Sequence, residues 1–188
     1  MLGVINLAST AHQSVFVLFA VNPGPLGMSK TGFGLLLASG GVGGLAGSTV
    51  AAPLERTLGR ARCLVAAIVV FAVSLAVPFV TTSSVANAAA IIGAAFGAVV
   101  WNVITVSLRQ RITPDHLLGR MNSAYRLLGW GTMPLGALLG GVVAETVGVR
   151  PTFLVAALLH LPLLLGFRVV AEARIAKAEA EGADTLQE

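Results

Sequence analysis

Asn6, Ser9, Thr10 and Gln13 are spaced i, i+3, i+4 and i+7 within an otherwise apolar stretch, LGVINLASTAHQSVFVLFAV. On a helix that spacing aligns four hydrogen-bonding side chains on one face. In a membrane such a face meets protein or a water-filled path rather than lipid. Two readings stand. Asn6, Thr10 and Gln13 line a cavity for a substrate, or the stripe bonds a neighbouring helix at about 0.6 kcal/mol per bond. Trp101 and Asn102 form a second candidate pair that could stack on and orient a substrate; Trp101 could equally anchor at the membrane boundary. His160 is the one imidazole deep in a lipophilic stretch, suited either to carrying a proton or to a structural role. His12 lies beside the polar stripe but off its face and receives no role.

These side chains need helices to hold them. The chain supplies six apolar spans, at 2–22, 31–54, 63–81, 85–108, 123–145 and 152–171. Of its 188 residues, 56% are apolar and 11% charged, where a soluble domain carries roughly a quarter charged. Each span approaches the roughly 20 residues that cross a hydrocarbon core of about 30 Å. The apolar runs are continuous rather than alternating, which predicts helices and not barrel strands. The expected fold is therefore all-α integral membrane, with residues 1–172 as the bundle and 173–188 as a tail. The first span lacks a basic leader and five more follow, so it reads as a retained helix.

Membrane insertion favours Lys and Arg on the cytoplasmic side. With both ends on that side, Arg56, Arg60, Arg62, Arg109, Arg111, Arg120, Arg126, Arg168, Arg174 and Lys177 fall inside, and only Lys30 and Arg150 outside. This predicts a multi-pass protein of the cell inner (plasma) membrane with both termini cytoplasmic. The net charge of +4 then serves topology and anionic lipid, not nucleic acid. A single cysteine, Cys63, excludes an internal disulfide and a cysteine-based metal site, and no cofactor is expected. The segment GPLGMSKT at 24–31 lacks the second glycine and the preceding strand of a phosphate loop. Ser39 and His160 could in principle support acyl transfer, but no complete catalytic set accompanies them. The chain is not expected to be an enzyme.

The second and fifth spans are rich in glycine. Gly40/Gly44 and Gly43/Gly47 are small-xxx-small pairs that let backbones approach closely. Gly136 and Gly140 recur in the fifth span, where Pro134 predicts a kink. Pro162 predicts another in the sixth, and Gly59 a helix stop after the second. Thr113, Pro114 and Asp115 read as N-cap, first position and first-turn acid of a short amphipathic surface helix that Gly119 would end. Arg126, within about two turns of the inner end of the fifth span, either snorkels to the interface or is a cavity charge. The order polar-patched, Gly-rich, apolar occurs twice, which predicts a 3+3 repeat of the six helices, a transporter architecture.

These residues resemble the C-terminal half of a major facilitator superfamily transporter. After the second span that family carries Gly-x-Leu-Ala-Asp-Arg-x-Gly-Arg-Arg. Here residues 52–62 read APLERTLGRAR, matching at Leu54, Gly59, Arg60 and Arg62, with Ala52 for the first glycine and the acid displaced to Glu55. The stretch 109–141, RQRITPDHLLGRMNSAYRLLGWGTMPLGALLGG, is similar to the exporter branch that includes siderophore and macrolide efflux proteins. The resemblance implies efflux of a small molecule by alternating access, as half of a twelve-helix transporter whose partner is a missing N-terminal six-helix half or a second copy. It implies a substrate cavity at Asn6, Gln13, Trp101 and Asn102, and a gate in the loop of Glu55, Arg56, Gly59 and Arg60. It also places the glycines of the second and fifth spans at the surface the other half would cover. The alternative reading is a truncated, non-transporting membrane module or scaffold.

Overall fold

The computed structural model describes residues 1–166. The end of the sixth span and the tail at 173–188 lie outside the described residues. These residues form helices α1 (Leu2–Ala20), α2 (Lys30–Ala38), α3 (Gly40–Leu58), α4 (Arg60–Val80), α5 (Ser84–Ile112), α6 (Asp115–Gly131), α7 (Met133–Thr146), α8 (Val149–Leu158) and α9 (Leu161–Gly166). Five stretches are long and apolar enough to cross a membrane: α1, α2 with α3, α4, α5, and α6 with α7. The sixth, α8 with α9, is a shorter apolar helix within the described residues.

Local chemistry sets the breaks. Ser29 caps α2 by accepting from the Gly32 amide at 3.0 Å. The Ser39 hydroxyl donates to the Leu36 carbonyl at 2.6 Å, where α2 gives way to α3. Gly59, at φ 80°, adopts the backbone that favours glycine and separates α3 from α4. Thr132 separates α6 from α7, its hydroxyl donating to the carbonyls of Gly129 and Gly3 at 2.8 and 2.9 Å. Pro134 then falls in the first turn of α7, where its missing N–H costs nothing. The break between α8 and α9 falls at Leu159 and His160, just before Pro162.

One connector departs from expectation. No short helix ends at Gly119; α6 runs through it to Gly131, so the fifth crossing begins immediately after Pro114. Pro114 itself stands at the N-cap, with Thr113 closing α5. A single exposed glycine costs a helix only about 1 kcal/mol relative to alanine, and the leucines and arginine around Gly119 carry the helix across it.

α3 packs along α5, and α1 along α7; α4 packs against both α5 and α8, and α1 also meets α8. The two closest approaches use glycine. Gly43 and Gly47 of α3 lie on the backbone of Ile92 and Phe96 in α5. Gly136 and Gly140 of α7 lie on the backbone of Leu7 and Ala11 in α1. These four glycines are buried within the chain, not spread over a free surface as the resemblance implied. Gly41 and Gly141, by contrast, have open space beyond their α-carbons. α4 buries Leu64, Ala67, Ile68, Phe71 and Leu75 on one face and exposes Val69, Val73 and Val80 on the other.

Candidate transport cavity

The close contact of α7 fixes the rotation of α1. Leu7 and Ala11 face α7, so the opposite side of α1 turns toward α5. There Ile5, Asn6, Ser9, His12, Gln13 and Phe16 form one wall of a cavity of about 580 Å³. Ile91, Ala94, Ala95 and Ala98 of α5 form the facing wall, with Phe33 and Leu37 of α2 and Phe71 and Leu75 of α4 closing the sides. One wall is polar and the rest is apolar. Such a space suits a molecule with a large apolar body and one or two hydrogen-bonding groups. No carboxylate lines it.

The wall is rotated from the sequence stripe. Asn6, Ser9 and Gln13 line this cavity, whereas Thr10 lines neither it nor the second groove described below. His12, which the sequence left without a role, is on the wall. It is buried, with its ring 5.0 Å from Phe16 in a stacked arrangement and 4.8 Å from Phe153. Its position three residues after Ser9 and one before Gln13 was the available signal, but recognising it required knowing which way α1 is turned.

Trp101 and Asn102 are elsewhere. They line a second groove of about 460 Å³, at the end of the bundle where α5 finishes and α6 begins, together with Arg109, Asn122, Tyr125, Arg126 and Trp130. Asn6 borders both spaces, and its side-chain amide donates to the Gly129 carbonyl at 2.9 Å. Asn6 thus stands between the two spaces. Arg109, Tyr125 and Trp130 were not singled out from the sequence as cavity residues, because their neighbours lie on different helices.

In the loop between α3 and α4, Arg60 Nε lies 2.5 Å from Glu55 Oε1. Both side chains are mostly buried, at 16% and 18% exposure. Gly59 gives the turn that brings α4 back so that Arg60 can reach Glu55. Arg56 lies in the last turn of α3. Cys63 is buried and donates its thiol to the Leu54 carbonyl at 3.4 Å. A β-carbon on Gly40 would stand 3.2 Å from the Ile91 side chain, and one on Gly44 3.9 Å from that of Val99. His160 lines neither cavity; it is fully buried, with Nδ1 3.2 Å from the Ala156 carbonyl and its ring stacked 6.0 Å from Phe71.

Comparison with known proteins gives the family. A profile of the transmembrane secretion effectors, a group of major facilitator transporters, matches residues 4–188. The chain belongs to this family. The multidrug efflux pump Tap of Mycolicibacterium fortuitum is 30% identical to the chain over 144 residues. That match covers 72% of this chain and 32% of the pump, so the chain spans about a third of the relative's length. No solved structure matches the chain.

Proposed function

We propose that this chain is one six-helix half of a secondary-active efflux transporter, and that the space between α1 and α5 is its share of the substrate path. The carrying observation is the cavity of about 580 Å³ with one polar wall at Asn6, Ser9, His12 and Gln13. A small amphipathic molecule fits that division, and the description of the relative as a multidrug efflux pump points the same way. Both termini are read as cytoplasmic, in the plasma membrane, on the distribution of Lys and Arg.

The 3+3 repeat is part of this reading. Pairing the first three spans with the last three matches α1 to α5, α3 to α7 and α4 to α8. Under that pairing Gly43 and Gly47 on Ile92 and Phe96 correspond to Gly136 and Gly140 on Leu7 and Ala11. The same alignment matches Asn6, Ser9 and Gln13 with Ile91, Ala94 and Ala98, which are opposite walls of one cavity. Alternating access would then rock this bundle against a second one around the shared space. The Glu55–Arg60 pair would act as a latch at the cytoplasmic end.

The test is export from cells that co-produce this chain with the N-terminal six helices of a cognate secretion effector. The pair should lower accumulation of an amphipathic dye, and Ser9→Phe, which fills the cavity, should abolish the effect while leaving both halves in the membrane. No export from the unaltered pair, with both halves inserted, sinks the reading. Flux by the chain alone in liposomes would make a second copy its partner.

A further inference from the structure

Among the described residues, the groove at the end of α5 holds two arginines and no carboxylate. Arg109 lies with its guanidinium carbon 3.6 Å from the centre of the Tyr125 ring, and Arg126 lies 4.4 Å from that of Trp130. The Tyr125 and Trp130 rings thus each already hold a cation, which disfavours a second one beside them. The donor edges are another matter. Arg109 gives Nε to the Thr105 carbonyl at 3.3 Å and one Nη to Asn122 Oδ1 at 3.1 Å. That leaves most of the guanidinium's five N–H donors free. Arg126 makes no hydrogen bond or ion pair within the described residues. Glu55, near the C-terminal end of α3, is engaged by Arg60.

Depth makes this costly without a partner. The stretch His116–Thr146 has 31 residues, about 46 Å of helix, against a hydrocarbon core of about 30 Å. The excess lets the first turns of α6 project beyond the core and brings Arg126 near the level where hydrocarbon begins. Two guanidiniums in a groove there call for a counter-charge, and among the described residues the lining supplies none.

We propose that this groove binds an anionic amphiphile. A phosphate, sulfate or carboxylate head would be forked by the free edges of Arg109 and Arg126, and the apolar body would lie against buried Trp101. The inference deepens the transport reading and rests on it, because Asn6 lines both this groove and the main cavity. It is tested without flux, so binding and export can fail separately. The head could belong to a membrane lipid or to a free solute.

The chain contains two tryptophans, Trp101 and Trp130, and both line the groove. Bromine quenching of their fluorescence therefore reads occupancy directly. The whole chain would be placed in phosphatidylcholine nanodiscs and titrated with a brominated alkyl sulfate, the alcohol of equal length, and the trimethylammonium analogue, each compared at equal membrane-bound fraction. A second series would replace part of the lipid with brominated phosphatidylglycerol or brominated phosphatidylcholine. The proposal expects half-quenching by the anion at about tenfold lower membrane content than by the alcohol, as one charge-assisted pair supplies. Preference in the first series marks a free solute, and in the second a lipid head. Arg109→Gln with Arg126→Gln should erase the preference while quenching by the alcohol persists, which shows the groove intact. Should that double variant fail to fold, Arg126→Gln alone, at an exposed position, should weaken the preference at least severalfold. Equal quenching by anion and alcohol in both series, strongest quenching by the ammonium, or a preference that survives these substitutions overturns the proposal.

Discussion

Gly136 lies so close to Leu7 that a β-carbon on it would overlap the Leu7 carbonyl oxygen and stand 3.0 Å from the Leu7 α-carbon. Gly43 stands in the same relation to Ile92. These contacts set the distance and the rotation of α1 against α7 and of α5 against α3. Everything that faces the central cavity follows from them, since a helix turned by its glycine contact presents its far side inward.

Substitution at the contact should therefore be costly and position-specific. Gly136→Ala is expected to destabilise the chain by about 1–3 kcal/mol, because a backbone rather than a flexible side chain must move. Gly141→Ala, with nothing within 4 Å, should be neutral or stabilising by up to about 1 kcal/mol through helix propensity. Denaturant unfolding in mixed micelles would compare them. Equal effects of the two substitutions would refute the close contact.

The lining of the cavity can be read by thiol labelling. Cys63 is 1% exposed, so the unaltered chain should react slowly with a water-soluble maleimide. Ser9→Cys and Gln13→Cys should label severalfold faster than Thr10→Cys, despite all three positions belonging to one sequence stripe. If Thr10→Cys reacts as fast as the other two, the rotation of α1 described above is wrong.

The Glu55–Arg60 pair should couple its partners only modestly. The side chains are largely but not fully removed from solvent, so desolvation offsets part of the attraction. A double-mutant cycle with Glu55→Gln and Arg60→Gln is expected to give about 1 kcal/mol of coupling, falling with added salt. A coupling of zero at low ionic strength would mean that the contact contributes no stability.

The membrane character, the all-helical build and the helix stop at Gly59 were legible from the order of residue types. Partition of a span into hydrocarbon is a sum over neighbouring residues, so a local reading suffices. The connector at 113–119 was misread for the same reason. Gly119 was given the force of a terminator, although α6 continues through it into a crossing that packs beside α1. The polar stripe was seen, yet Thr10 was included and His12 left out.

What the sequence by itself determined is that this chain is helical and that it crosses a membrane several times. Both properties depend on segments taken one at a time. Only the tertiary structure decided which glycines touch the chain itself, that His12 and not Thr10 meets the cavity, and that Trp101 shares a groove with Arg109 and Arg126. The reason is steric. The rotation of one helix is set where its backbone meets another, as Leu7 meets Gly136, and no pattern within a single span records that meeting.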